Sequence, residues 1–307
     1  MGFGLNSSLT TQRPDAKRYK WAATHCLQLD QEGGVATANY VKINDISAIL
    51  NKISGAGSAD IGDNITICFW VSPLWNIGTV DGVANTVVEG FNTTNVPIFS
   101  MGANDSSTHR ITCYYSVRTT AGSLRNRITI LTQGTNGNAY EQQSLHDDNT
   151  IIGCGTSDSN FWEVDNKGNV NSEGFTHLAM TRASGSANWV FYWNGADINV
   201  NVSLGSDHDP DPVESSFTDM VLGQHAHYMD SNLTMCPMKF RDFAIYNSAL
   251  SASNIAELYN SGNFYDVRTS STAAVAAPAV YYPFNHNHAD YMRNGGDMNG
   301  NQSFVAL

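Results

Sequence analysis

Short apolar runs with a two-residue period dominate the chain, separated by clusters of Gly, Asn, Asp and Ser. The clearest are Ile65-Thr-Ile-Cys-Phe-Trp-Val71, Arg110-Ile-Thr-Cys-Tyr-Tyr-Ser-Val117, Arg127-Ile-Thr-Ile-Leu131, His177-Leu-Ala-Met-Thr181, Trp189-Val-Phe-Tyr-Trp193 and Met238-Lys-Phe-Arg-Asp-Phe-Ala-Ile-Tyr246. Alternation of this kind predicts antiparallel strands with one face on a core and the other in water. It places Ile65, Ile67, Phe69 and Val71 on one face of a strand. Asn194-Gly195 follows Trp193 and precedes Asp197-Ile-Asn-Val-Asn-Val202, which predicts a hairpin with a type I′ turn. One segment has helical spacing instead. Ser251 offers an N-cap, Ile255, Leu258 and Tyr259 share a face, and Gly262 supplies a stop. Many short strands and one helix predict an all-β, two-sheet antiparallel jelly-roll sandwich with a short helix near its C-terminal end.

The two ends read differently. Residues 1–24 hold Arg13, Lys17, Arg18 and Lys20 and little that could enter a core. Thr269-Ser-Ser-Thr-Ala-Ala-Val-Ala-Ala-Pro278 has the small-residue composition of a linker. A strand-like run, Ala279-Val-Tyr-Tyr-Pro-Phe284, and an Asn/Gly-rich end come after it. The expected organisation is an N-terminal arm (1–24), one domain (25–262), and a C-terminal linker with a strand-like tail (263–307).

Composition narrows the partners. The chain has 307 residues, a formal charge of −12 and only 14% charged residues. That balance argues against nucleic acid, whose binders present Lys and Arg to phosphate, and against an anionic membrane surface. No apolar run approaches the roughly 20 residues of a membrane span. The opening residues lack the basic head and the roughly 7–15-residue apolar stretch of a secretory signal. Five cysteines, Cys26, Cys68, Cys113, Cys154 and Cys236, show no zinc or redox spacing. They are expected to be unbonded, which implies folding in a reducing cytoplasm.

Three stretches, in order, resemble the concanavalin A-like lectin/glucanase superfamily in its laminin-G-like jelly-roll branch. Cys26-Leu-Gln-Leu-Asp30 with Asn39-Tyr-Val-Lys-Ile43 is similar to the opening strands. Gly174-Phe-Thr-His-Leu-Ala-Met-Thr181 with Trp189–Gly195 is similar to the "W-x-H-[VL]-A-x-T … Y-x-N-G" hairpin. Phe240-Arg-Asp-Phe-Ala-Ile-Tyr-Asn-Ser-Ala-Leu-Ser251, running into Ile255–Gly262, resembles the closing strand and helix. Phe69-Trp-Val-Ser-Pro73 and Pro97-Ile-Phe-Ser100 resemble strands between them. The resemblance covers about 25–262; Phe175 stands where the family usually has Trp, and a long polar insertion occupies about 132–172.

The resemblance raises candidate chemistries. Glycan-cleaving members place two glutamates on one strand face, and retaining hydrolysis needs them roughly 5 Å apart. Glu163-Val-Asp165 is a partial match, but no second glutamate arrives in register and Glu173 is too distant. The expectation is therefore a protein that is not an enzyme. Relatives often hold a structural calcium through the Asp of the closing strand. That residue is Asp242 here, with Asp30 as a partner if the two strands end together. Asp207-His-Asp-Pro-Asp-Pro-Val-Glu214 is a second acidic loop without EF-hand spacing. His225-Ala-His227 and His286-Asn-His288 could chelate on a strand, but neither pair has a third ligand beside it, and a surface role is simpler. Trp75, Phe91, Phe161 and Trp162 fall in Gly/Asn-rich loops and are the candidates for glycan or partner contact.

Three functions follow. A secreted or surface carbohydrate-binding module fits the fold, and a glycoside hydrolase lacks its second glutamate. A virion structural protein joins the remaining features: assembly in a reducing host cytoplasm, display outside the cell, and unpaired thiols. Tailed phages carry jelly rolls of this group on capsids, tails or fibres. The implied partners are other virion proteins, further copies of this chain and a cell-surface glycan. The arm residues Arg13, Lys17 and Arg18 are the expected assembly contacts.

Overall fold

In a computed structural model, the structure describes residues 25–29, 41–44, 64–73, 77–80, 83–88, 95–102, 110–120, 123–133, 139–144, 174–183, 186, 188–198, 200–203, 219–223, 238–284 and 303–306. The strands are β1 His25–Leu29, β2 Val41–Asn44, β3 Asn64–Pro73, β4 Ile77–Val80, β5 Val83–Val88 and β6 Asn95–Gly102. Next come β7 Arg110–Thr120, β8 Ser123–Gln133, β9 Ala139–Ser144, β10 Thr176–Ala183, β11 Trp189–Trp193 and β12 Ala196–Ile198. The remainder are β13 Val200–Ser203, β14 Asp219–Leu222, β15 Met238–Tyr246, β16 Val280–Tyr282 and β17 Ser303–Ala306. Helix α1 spans Ala252–Tyr259.

The described strands form two antiparallel sheets and a β4–β5 hairpin. One sheet has eight strands in the order β12-β11-β10-β3-β15-β1-β17, with β16 also on β15. The other runs β13-β9-β8-β7-β6-β14-β2. The core lies between them, where Ile65, Ile67, Phe69 and Val71 all point. Phe69 stacks on Phe243 at 5.7 Å and meets Phe99 of the opposite sheet edge-on at 5.8 Å. These are the expected two-sheet sandwich and the expected shared strand face. The type I′ hairpin also forms, with Asn194 at φ 48° and Gly195 at φ 78°.

The expected half-solvated strands are a correction. In the eight-stranded sheet β10 and β15 are buried on both faces. Helix α1 and the segment after it cover the outer face, where Ile255, Leu258, Val267 and Val275 pack on Cys68, Ala179, Ala244, Tyr246 and Tyr281. Ser251 caps the helix by accepting from the Asn254 N–H. The helix ends at an αL Asn260 (φ 47°), ahead of the expected Gly262, because Asn tolerates that conformation. Thr66 anchors the approach to the helix, donating to the Ser248 carbonyl at 2.6 Å and accepting from Leu250 N–H at 2.9 Å.

Two further boundaries move. The run after Asn194-Gly195 divides: β12 stays in the hairpin's sheet, while β13 pairs with β9 in the other. The described parts of 263–307 also join the sandwich. β16 pairs with Phe243–Ile245 and β17 with β1, so the C-terminal segment completes the eight-stranded sheet of its own domain. The tract read as a linker packs down instead, with Val275 buried and its carbonyl accepting from the Tyr246 hydroxyl at 3.1 Å.

Candidate functional site at the loop end

Strand register locates the candidate site. In the eight-stranded sheet Leu29 lies opposite Met238, Met238 opposite Pro73, and Val71 opposite Thr176. The end of β1, the end of β3 and the starts of β10 and β15 are therefore at one end. In the second sheet Val96 pairs with Tyr115, Tyr115 with Ile128, and Thr129 with Gln143. The start of β6 and the end of β9 are level there. Gly223 joins the two sheets at this end. Its N–H donates to the Ile98 carbonyl at 2.7 Å, and a Cβ added to it would collide with Cδ1 of Leu29. A glycine is required by that approach and by φ 77°.

Trp75, Phe91, Phe161 and Trp162 themselves lie outside the described residues, as do Asp30, Arg13, Lys17 and Arg18. The flanking strand ends do not. Pro73 and Ile77 bracket Trp75, Val88 and Asn95 bracket Phe91, and Ser144 and Thr176 bracket Phe161 and Trp162. Because Ile77 pairs with Val88, the first two brackets adjoin. All three segments thus spring from the same end of the sandwich. Glu163, Asp165, the two His-x-His pairs, residues 207–214, Cys154 and Cys236 are also outside the described residues.

Beneath this end lies an aromatic floor on the outer face. Trp70 meets His177 at 5.1 Å, Tyr259 at 5.8 Å and Phe264 at 5.2 Å, and Phe175 meets Phe264 at 5.4 Å. His177 and Asn194 exchange two bonds: His177 N–H donates to the Asn194 amide oxygen, and Asn194 N–H to the His177 carbonyl, both at 2.9 Å. Burial pushes the His177 imidazole down to about 3, so it is neutral at physiological pH. Burial pushes the Cys26 thiol up to about 11 and raises those of Cys68 and Cys113 further. Cys68 and Cys113 are free thiols in the core, as expected. This floor supplies packing rather than nucleophiles.

Asp242, the expected calcium ligand, does other work. Between Arg241 and Ala244 the pairing of β15 with β3 shifts by one residue. This β-bulge puts Asp242 at φ 48°. It also keeps Phe243 and Ile245 on the inner face with Met238 and Phe240. The spacing Phe240-Arg-Asp-Phe243, which breaks alternation once, is the sequence signal for it. The Asp242 carboxylate accepts from Arg241 Nε at 3.2 Å and from the Tyr281 hydroxyl at 2.8 Å. Burial raises it to about 6, against the lowering effects of Arg241 and those hydrogen bonds. The Arg241 guanidinium also lies 4.7 Å from the ring centre of Phe264. A carboxylate already engaged by a guanidinium and a phenol does not fit a calcium ligand. The register moreover carries the end of β1, which leads to Asp30, toward Met238 and away from Asp242. Among the described residues no group of three His, Cys, Asp or Glu could hold a metal.

The profile of the family described as "Concanavalin A-like lectin/glucanases superfamily", in its laminin-G group, matches residues 92–256, more than half of the chain. The chain belongs to the concanavalin A-like lectin/glucanase superfamily. The solved structures to which the chain is similar are remote from it in sequence. The binding domain of botulinum neurotoxin serotype D/C is 13% identical, covering 80% of this chain and 44% of that one, with a TM-score of 0.43. A native heptameric SAP-like pentraxin from Limulus polyphemus is 9% identical, covering 92% and 94%, with a TM-score of 0.48. The chain spans less than half the length of the toxin domains it matches. No curated protein sequence matches it.

Proposed function

We propose that this chain is a non-enzymatic, lectin-like adhesion module carried on a virion surface, with glycan contacts made from the loop end of the sandwich. The observation that carries the reading is the convergence of the strand ends bracketing Trp75, Phe91 and Phe161–Trp162 on one end. Aromatic faces are the side chains best suited to sugar rings, since they bury apolar C–H surface while polar neighbours keep the hydroxyls hydrogen-bonded. Among the described residues, β3, β10 and β15 at the centre of the eight-stranded sheet are covered on both faces by this chain's own side chains, which favours loops over that sheet for recognition. The free thiols Cys68 and Cys113 support folding in a reducing host cytoplasm before display. The low share of charged residues, 14%, suits a surface protein of a tailed phage particle.

A glycan array tests the adhesion reading. The full chain should bind a restricted set of glycans, and Trp75→Ala with Trp162→Ala should weaken that binding at least about tenfold without changing the fold. Equal binding by the double variant sinks the loop-end assignment. Labelling of purified particles by antibody in electron microscopy tests the virion assignment separately.

A further inference from the structure

The N-terminal arm has its route restricted by the sheet. On the side of β15 away from β3, two strands share one edge: β1 pairs with Met238–Phe240 and β16 with Phe243–Ile245. Both run antiparallel to β15. Residues upstream of His25 would continue along β15 toward Phe243, but β16 already occupies that place, with Tyr282 opposite Phe243. The Pro283 carbonyl fills the join, accepting from the Asp242 N–H at 3.5 Å. β15 therefore offers residues upstream of His25 no free edge to continue along.

Among the described residues, the nearest unpaired edge is that of β17. His25 lies opposite Ala306, and β17 is the outermost strand on that side, with nothing paired to its far edge among the described residues. An unpaired strand edge offers a row of N–H and C=O groups to any extended segment. The arm's own sequence fits an added strand. Arg18-Tyr-Lys-Trp21 alternates, with Tyr19 and Trp21 on one face and Arg18 and Lys20 on the other. To pair with its own β17 the arm would have to reverse direction just before His25. Yet Ala16-Lys-Arg-Tyr-Lys-Trp-Ala-Ala-Thr24 holds no Gly, Pro, Asn, Asp or Ser to make that turn. Extended, the residues before His25 reach as far as about 80 Å, enough to span to another molecule. The arm carries Arg13, Lys17, Arg18 and Lys20 against the single acid Asp15, while the whole chain is at −12, so arm and neighbouring domain attract.

We infer that residues 16–24 of one copy add as a strand to the outer edge of β17 in a second copy, linking subunits through exchanged arms. This holds whether or not the particle carries a glycan-binding role.

Amide hydrogen exchange of the full chain, read on peptides covering 303–306, tests this together with light scattering over a range of concentrations. Deletion of residues 1–20 and the point variant Lys20→Pro, which removes a backbone donor, are the comparisons. The full chain should self-associate as concentration rises. Both variants should lose that association, and their 303–306 amides should exchange about tenfold faster while circular dichroism is unchanged. Three results overturn the inference: exchange at 303–306 that neither variant alters, association that survives the deletion, or a full chain that protects 303–306 yet stays monomeric throughout, which means that its own arm is bound. If the deletion variant does not fold, Lys20→Pro in the intact chain decides alone.

Discussion

The inner face of the eight-stranded sheet is closed by interlocking rings from the second sheet; the outer face is closed by a helix and a strap fastened with polar groups. Phe69, Phe99, Phe240 and Phe243 form one continuous aromatic contact on the inside. Outside, Glu257 of α1 accepts from the hydroxyls of Ser270, Thr272 at 2.7 Å and Tyr265 at 2.9 Å. Asp266 clasps Arg268 through two bonds of 2.8 Å. The inner face is held by shape and apolar area, so it depends little on pH. The outer face is held by named hydrogen bonds to carboxylates, so it titrates.

The largest break in that contrast comes from inside. Phe69→Ala removes the ring at the centre of the cluster and should cost about 3–5 kcal/mol, measured by chemical denaturation. A loss no larger than that of a surface substitution would mean that the two sheets are not held there.

The next effect is electrostatic. Burial raises the Asp242 carboxyl to about 6 in the folded chain, above its ordinary value of 3.8. Its contribution to stability is therefore fully present below about pH 4 and lost as the pH rises through about 6. The wild type should gain about 2–3 kcal/mol from this group between pH 7 and pH 4, and Asp242→Asn, which tolerates φ 48°, should lack that gain. Parallel pH slopes for the two proteins would refute this.

Glu257 has the opposite sign. Burial acts upward on its carboxyl, but the hydroxyls of Ser270, Thr272 and Tyr265 outweigh it and hold the group below its usual range. Its contribution is present at neutral pH and fades as the pH falls below the ordinary glutamate range. Glu257→Ala should cost about 1–2 kcal/mol and open residues 263–279 to proteolysis before the sandwich unfolds. Simultaneous loss of both layers would show that they form one cooperative unit. The smallest effect belongs to the helix start: Ser251→Ala removes the cap and should cost about 0.5–1 kcal/mol.

Sequence made one layer legible and hid the other. Ile65, Ile67, Phe69 and Val71 announce the inner face because apolar period two is a strong signal. The other face of the same strand, Thr66, Cys68 and Trp70, is mixed in character, and nothing local shows which later segment covers it. The strap after the helix is mostly small and polar, and its apolar contacts, Phe264, Val267 and Val275, fall at no regular period. Asp242 was read through its family position, whereas a one-residue break in the Phe240–Phe243 spacing marks the bulge that fixes its role. The hairpin turn was legible because Asn-Gly is a local backbone preference. The convergence of the loop-end segments was not, because it depends on pairings between distant strands.

The shared edge of β15 also bears on synthesis. Leu27 meets Phe240 on one side and Phe304 on the other. At about 5–20 residues per second, β1 waits roughly ten to forty seconds for the first of those partners to be made. During that interval a short apolar strand has both edges bare beside a nascent chain already rich in strands. The last piece of the sheet to be translated is the one that shelters the first.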